Sequence, residues 1–129
     1  MFLSVQRITI KLLLFLLLLK KAISLSTPIL YDMPVSNNGA RVRLIIRAKG
    51  LDKRCGIKIV PPSDIGGLKS ESYLRLNPQG KMPLLVEDGF AIPESDTICR
   101  HLIDSYQNYE PSFEPADRAL RCLSNQICR

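Results

Sequence analysis

The sequence predicts an α/β fold in which a mixed four-stranded sheet is built in the chain order β-α-β-α-β-β-α. Its first two strand patterns, 28–33 and 57–60, are separated by a helical pattern, and strands that are joined through a helix run parallel. The dipeptide Asp88-Gly89 stands between two short apolar runs, 84–86 and 90–92, which is the pattern of an antiparallel hairpin. A sheet with both kinds of pairing is mixed, and 129 residues are enough for one such domain.

The first strand and the helix after it follow from the spacing of apolar residues. The strand pattern 28–33 is centred on Ile29-Leu30-Tyr31 and is followed by a loop of turn-forming residues. A helix is predicted over 40–49, because apolar side chains recur there on one face and Gly50 follows as a terminator. Arg43 and Arg47 lie opposite the apolar face and Arg41 lies at its edge. We expect these arginines to form a solvated surface, with a contribution to a subunit contact as the alternative.

Two further helices are predicted after the second strand. Residues 63–69 include two adjacent glycines and indicate a mobile loop, whereas a short helix is expected over 70–76, where Asn77-Pro78 stops it. After the hairpin, a helix from 94 to about 106 carries apolar residues on one face: Ile98, Leu102 and Tyr106. The domain is therefore expected to span 28–106.

The N-terminal segment differs from this domain in composition. Residues 1–27 combine four basic residues, no acidic residue and the apolar run 12–19, which as a helix is too short to cross a membrane. The pattern indicates a secretory signal peptide, with an organelle leader, an uncleaved membrane anchor or a mis-assigned start as alternatives. We therefore expect an endomembrane, secretory or organelle location, or a cytoplasmic one as the alternative, and membrane association only through this segment.

The C-terminal segment is predicted to leave the domain. Residues 107–115 are polar, contain two prolines and indicate a linker. From 116 to 129 the pattern is helical, with a one-sided apolar stripe that needs a surface to pack on. We expect this helix either to fold back on the domain or to be the start of a truncated C-terminal helical domain.

Charge and cysteine spacing argue against two classes of function. The net charge is +6, but four of the 18 basic residues lie in 1–27, which leaves 14 basic against 12 acidic residues elsewhere. This balance gives no support to a nucleic-acid partner. The four cysteines form no C-x-x-C pair and no ligand spacing with His101, so we expect no metal site, mostly reduced thiols, and a structural or surface role for the histidine.

The stretch 77–95 contains most of the functional information, together with residues around the first predicted helix. The loop and the helix start of this stretch each contain a dipeptide motif. A serine that is followed by an arginine-rich helix lies upstream. In chain order the motifs are Ser36, Arg41-Val42-Arg43, Met82-Pro83 and Glu94-Ser95. Together they resemble the N-terminal, thioredoxin-like domain of glutathione transferases, of the serine type and nearest the tau and zeta classes. The resemblance covers 29 to about 106.

The resemblance implies a catalytic role for Ser36. Its hydroxyl would donate a hydrogen bond to the thiolate of glutathione, and the helix N-terminus would add positive potential, so both would lower the thiol pKa. The alternative is a plain helix cap, a position that serine commonly takes. Relatives of the glutaredoxin and omega kinds have a cysteine at this position, so we expect no thiol–disulfide exchange from Ser36.

The resemblance also assigns the residues that bind glutathione. A cis bond before Pro83 would turn the Met82 backbone towards the extended cysteinyl part of the peptide. Glu94 would take the ammonium group of the γ-glutamyl end, and Ser95 at the helix N-terminus would take its carboxylate. Lys81 would pair with the glycyl carboxylate. The alternatives are a trans proline, a plain helix cap and a solvated lysine.

These roles imply a glutathione transferase, with glutathione as co-substrate and a small electrophile as its second substrate, or a glutathione-dependent isomerase. The family places its electrophile pocket largely on an all-helical C-terminal domain, and a full-length chain is expected to form a homodimer. The alternative is a non-catalytic glutathione-binding or protein-interaction module, or an inactive fragment.

Overall fold

The computed structural model describes residues 27–127 and, of their side chains, those of 27–123. Its strands are β1 (Ile29–Tyr31), β2 (Lys58–Val60), β3 (Leu84–Glu87) and β4 (Phe90–Pro93), and they lie in the spatial order β2-β1-β3-β4. β1 pairs in parallel with β2 and antiparallel with β3, and β3 forms an antiparallel hairpin with β4. The predicted α/β fold with a mixed four-stranded sheet is confirmed.

Within residues 27–127, five α-helices accompany the sheet: α1 (Asn37–Ala48), α2 (Leu51–Arg54), α3 (Glu71–Leu76), α4 (Ser95–Ser105) and α5 (Arg118–Ile127). α1 begins three residues before its predicted start, because Ser36 caps it. α2 is a single turn that has no counterpart among the predicted elements. Gly50 between α1 and α2 has φ 64°, a left-handed conformation that glycine adopts without steric cost.

The core lies on both faces of the sheet. Neighbouring residues of a strand point to opposite faces, so Leu30 and Leu85 face one layer while Tyr31 and Leu84 face the other. The larger cluster is made with the apolar sides of α1 and α4: Val42, Ile45, Ile46, Ile98, Cys99 and Leu102. The smaller cluster is closed by Tyr73 of α3. The sheet therefore separates α1 and α4 from α3.

Two expectations about the connecting segments are wrong in part. Residues 63–69 were expected to be a mobile loop, but a 3₁₀ helix, Pro62–Ile65, occupies the start of this segment, and Ser70 Oγ donates to the Ile65 carbonyl at 2.7 Å. Arg43 was expected on a solvated face, but its guanidinium is largely buried against Asp32. Helical periodicity gives the direction of a side chain and does not reveal which loop covers it.

The described cysteines are free thiols. Cys99 is buried in the core, Cys55 is half-buried and Cys122 is exposed. Burial raises the pKa of the Cys99 thiol, so this group remains protonated at neutral pH. Cys128 lies outside the described residues.

The predicted leader, 1–27, lies outside the described residues except for its last position. Within 27–127, no helix combines the length and the apolarity that a membrane span requires. α5 follows the segment 107–115, in which the structure has neither helix nor strand.

Candidate functional site

A small cavity of about 130 Å³ lies where three segments of the chain meet. The loop before β3, the start of α4 and the first turn of α1 each contribute to its wall. Its lining residues are Asn38, Asn77, Lys81, Met82, Pro83, Glu94 and Ser95. All five residues that were predicted to bind the peptide are therefore brought together. Ser36 is not among the lining residues of this cavity.

The loop that ends at Pro83 is fixed from behind by two hydrogen bonds to one carbonyl. The Tyr73 hydroxyl and the Asn77 side-chain amide each donate to the Lys81 carbonyl oxygen, both at 2.8 Å. Tyr73 and Asn77 are themselves almost fully buried. The peptide bond between Met82 and Pro83 is cis. Among the described residues, no hydrogen bond engages the Met82 backbone, which lies at the cavity wall.

The start of α4 places two polar residues of opposite function beside the cavity. Glu94 precedes the helix with φ 70° and ψ 118°, and its side chain is exposed. Ser95 is the first helical residue and is 8% exposed. The first N–H groups of a helix have no partner within the helix and attract an anion. A ligand with an ammonium group next to a carboxylate fits this pair, because Glu94 supplies negative charge and the helix start supplies donors.

Ser36 lies at the N-cap position of α1. Its Oγ accepts a hydrogen bond from the Gly39 N–H at 2.9 Å, and its backbone is extended, with φ −78° and ψ 112°. The hydroxyl is thus a helix cap, which was the plainer of the two expectations. A hydroxyl that accepts one hydrogen bond still has its own proton to donate, so the cap leaves a donor available to a thiolate.

Arg43 of α1 holds the loop that contains Ser36. One terminal nitrogen, Nη1, donates to Asp32 Oδ2 and, at 2.8 Å, to the Met33 carbonyl. The other, Nη2, donates to the carbonyls of Pro34 at 3.1 Å and Ser36 at 3.4 Å. One guanidinium therefore ties the end of β1, the loop and the helix start together.

Asp32 and Gly39 set how closely α1 approaches the end of β1. The Asp32 side chain is fully buried, and its Oδ1 has no hydrogen-bond partner among the described residues. A Cβ atom placed on Gly39 would overlap this carboxylate. Gly39 is therefore required by contact with Asp32. The sequence motif alone marks it only as a turn former.

Comparison with known proteins decides the family. The family described as glutathione S-transferase, N-terminal domain, matches residues 30–112, which is more than half of the chain.

The chain belongs to the glutathione S-transferase family.

Individual relatives agree with this assignment. Glutathione S-transferase D7 of Drosophila melanogaster is 32% identical over 97 residues, which cover 75% of this chain and 42% of that protein. Glutathione S-transferase 3 of Zea mays is 36% identical over 88 residues, covering 67% of this chain and 38% of that protein. The chain thus spans about two fifths of the length of these relatives.

A solved structure agrees with the fold. A glutathione S-transferase from the Antarctic clam Laternula elliptica superposes with a TM-score of 0.63 at 30% identity. The superposition covers 78% of this chain and 44% of the clam protein.

Three residues at or behind this candidate site are not predicted from the sequence: Tyr73, Asn77 and Asn38. The sequence marks Asn77 as a helix stop and Tyr73 as part of a short helix. Their hydrogen bonds to the Lys81 carbonyl exist only after the loop folds over α3. Asn38 follows the predicted catalytic serine by two residues, but nothing in that spacing shows which of the two side chains reaches the cavity.

His101 lies apart from this cavity. Its Nε2 contacts Glu87 Oε2, and the Tyr106 hydroxyl donates to the other oxygen of the same carboxylate. Burial, followed by the hydrogen bond to Glu87, raises the pKa of Tyr106. This network ties α4 to β3 at the far end of the hairpin, away from the residues of the cavity wall.

Proposed function

We propose that this chain binds glutathione and lowers the pKa of its thiol, so that the thiolate attacks a small electrophile or supports a glutathione-dependent isomerisation. One observation carries the proposal: the five residues assigned to the peptide from sequence motifs line a single cavity between two helix starts. Membership of the glutathione S-transferase family supports the same co-substrate. The serine-type assignment rests on Ser36, and the tau or zeta class stays a prediction.

Each part of glutathione has a matching group in the site. Glu94 takes the ammonium of the γ-glutamyl end, while Ser95 and the free N–H groups of α4 take its carboxylate. The Met82 backbone pairs with the cysteinyl part, and Lys81 pairs with the glycyl carboxylate. These contacts hold the thiol towards the start of α1, where the helix dipole and the Ser36 hydroxyl favour the thiolate.

Removing the Ser36 donor tests this function. We expect the wild-type chain to be retained on immobilised glutathione and to conjugate a generic electrophile such as an aryl halide. Ser36→Ala should lose about 10²-fold in conjugation rate, the cost of removing one preorganised donor. Ser36→Asp keeps a capping oxygen for α1 but lacks the donor, so it should lose activity while its melting temperature stays near that of the wild type.

The control for these variants is Ser72→Ala, because Ser72 is exposed on α3 and does not line the cavity. It should conjugate at the wild-type rate. If Ser36→Ala also conjugated at the wild-type rate, the thiolate would be activated without the serine and the serine-type mechanism would be wrong.

A glutathione-binding module without turnover is the second candidate function. It is favoured by the lining of the cavity, which includes the residues assigned to the peptide but not Ser36, the residue assigned to the thiolate. Retention on immobilised glutathione together with no conjugation of any electrophile would support this candidate. Homodimer formation and association with a membrane stay predictions, for which analytical ultracentrifugation and fractionation of the full chain are the direct measurements.

A further inference from the structure

Ser36 and Asn38, two polar residues at the start of α1, differ in exposure and in whether their side chains are already hydrogen-bonded. Ser36 is half-buried, and its oxygen is engaged by the Gly39 N–H. Asn38 is exposed and lies in the wall of the cavity that holds Met82, Glu94 and the other predicted peptide-binding residues. The side chain of this turn that faces the candidate ligand is therefore the asparagine.

The Asn38 amide is available to a ligand. It forms no hydrogen bond with any other described residue, whereas Asn77, the other asparagine of the cavity wall, is engaged at both its amide nitrogen and its oxygen. A side-chain amide has two N–H donors and one acceptor oxygen. Amide donors of this kind stabilise negative charge when they are held in place before the charge develops.

The turn that contains Asn38 is held in place on two sides. Gly39, the next residue, sits against the buried Asp32 carboxylate with no room for a side chain. Arg43, one turn further along α1, donates to the carbonyls of the preceding loop. The Asn38 backbone is thus fixed by its neighbours, and its amide pays little conformational entropy beyond its own side-chain torsions.

The charged groups of glutathione are matched elsewhere in the cavity. Lys81 complements the glycyl carboxylate, and Glu94 with Ser95 complements the γ-glutamyl end. The thiolate is the remaining anionic group, and it lies towards α1 in the proposed mode of binding. A neutral donor that lines the cavity from the start of α1 is placed to meet the sulfur.

We infer that the Asn38 side-chain amide donates a hydrogen bond to the sulfur of bound glutathione and shares the stabilisation of the thiolate with Ser36. This inference rests on the proposed function, because it needs glutathione in the cavity. It makes Asn38 a catalytic residue that the serine-type motif does not include.

The thiol pKa of bound glutathione tests the inference. It is measured on the full chain at saturating glutathione, by following the ultraviolet absorbance of the thiolate as the pH is raised. Asn38→Ala should raise this thiol pKa by about one unit, a tenfold loss of thiolate at a pH below it. Asn38→Asp should raise the pKa further, because a carboxylate in place of the amide repels the thiolate.

Asn37→Ala is the matched control. Asn37 is the neighbouring exposed asparagine of the same helical turn and does not line the cavity. Its replacement makes the same chemical change at an adjacent position, so the thiol pKa should stay at the wild-type value.

The outcomes separate this inference from the proposed function. If the wild type binds glutathione and Asn38→Ala leaves the thiol pKa unchanged, the role of Asn38 is wrong and the proposed function stands. Weaker glutathione binding with an unchanged thiol pKa would place Asn38 on another part of the peptide and would equally overturn the inference. If the wild type does not bind glutathione, the proposed function fails and the inference fails with it.

Discussion

Tyr73 lies behind the loop that contains Lys81 and Met82, on the face of the sheet opposite α1. Its ring packs edge-on against Tyr31, with ring centroids 6.0 Å apart, and its hydroxyl donates to the Lys81 carbonyl. Burial, then the charge of Asp32 and then Tyr31, raise the pKa of Tyr73 to about 12. The residue therefore shapes the cavity wall from outside the cavity.

Replacing Tyr73 with phenylalanine removes one of the two donors to the Lys81 carbonyl. We expect Tyr73→Phe to lower the free energy of unfolding by about 0.5–1.5 kcal/mol at neutral pH, as measured by urea denaturation. The difference from the wild type should shrink as the pH rises from about 10 towards 12. A tyrosine in the unfolded chain ionises from about pH 10, whereas the folded Tyr73 ionises only near 12. The wild type therefore loses the contribution of this residue over that range, and Tyr73→Phe has no such contribution to lose.

The control is Tyr31→Phe, since the Tyr31 hydroxyl forms no hydrogen bond with the described residues. It preserves the ring contact and should leave the free energy of unfolding at neutral pH close to the wild-type value. Equal losses in the two variants would mean that the hydroxyl of Tyr73 is not what holds the loop.

The contacts of Arg43 show why the burial of some side chains cannot be predicted from the sequence. Its place on the helix was predicted correctly, and a solvated side chain follows from that place alone. The structure instead puts the end of β1 over this part of α1, where the Asp32 carboxylate and the loop carbonyls take up the guanidinium donors. The contact joins residues about ten positions apart and depends on how strand and helix pack, which periodicity does not encode.

At the scale of elements, α1 connects the candidate site to the segment that leaves the domain. Lys49 caps the end of the helix and is almost fully buried. Its Nζ donates to the carbonyls of Tyr106 at 3.3 Å and Tyr109 at 2.6 Å, and lies 5.9 Å from the centre of the Phe113 ring. One ammonium group therefore supplies a hydrogen-bond donor to the carbonyl at the end of α4 and to a carbonyl near the start of 107–115.

Lys49→Met keeps most of the buried stem and removes the charge-assisted hydrogen bonds. We expect the free energy of local opening in 107–113 to fall by about 1–3 kcal/mol, seen as faster amide hydrogen exchange in that segment. Lys53→Met on α2 serves as the control, because Lys53 is exposed. Unchanged exchange in Lys49→Met would show that packing alone holds the segment.

The sequence predicted an element correctly where a few neighbouring residues determine its backbone conformation. The Asp88-Gly89 turn was predicted from two residues, and both have positive φ, 48° and 81°, as a tight hairpin turn requires. The single turn α2 was missed, because four residues are too few to show a helical period. The first residues of α1 were missed because a polar stretch, Asn37-Asn38, resembles a loop until its cap is known.

At the scale of the whole molecule, α5 lies outside the core described above. Leu120 and Leu123 on this helix are 56% and 51% exposed, whereas Leu102 of α4 is fully buried. These two leucines belong to the apolar stripe predicted for 116–129, and the domain described above does not cover them.

The stability of the domain should depend little on that stripe. Leu120→Gln combined with Leu123→Gln should change the free energy of unfolding by no more than about 0.5 kcal/mol per residue, because little apolar surface is lost from a packed interior. Leu102→Ala, the buried comparison, should cost about 2–5 kcal/mol. Both are measured by urea denaturation at several protein concentrations. A large, concentration-dependent loss in the glutamine variant would show that a second copy of the chain covers α5.

Residues of the candidate site that belong to a local motif were predicted from the sequence, and residues brought in by packing were not. Lys81, Met82, Pro83, Glu94 and Ser95 were named from sequence, because they belong to two short motifs placed by the ends of one hairpin. Asn38 and Asn77 line the same cavity but were not named. Their contribution depends on three segments meeting in space, and a motif within one segment does not contain that information.

The backbone of Glu94 carries a consequence for how such a sequence evolves. A glutamate with φ 70° occupies a conformation that costs of order 1–3 kcal/mol, a cost that glycine would avoid. Selection for thermostability alone would therefore favour glycine at this position and would discard the carboxylate at the cavity wall. In the proposed mode of binding this carboxylate takes the ammonium group of the ligand, so stability and binding place opposite demands on position 94.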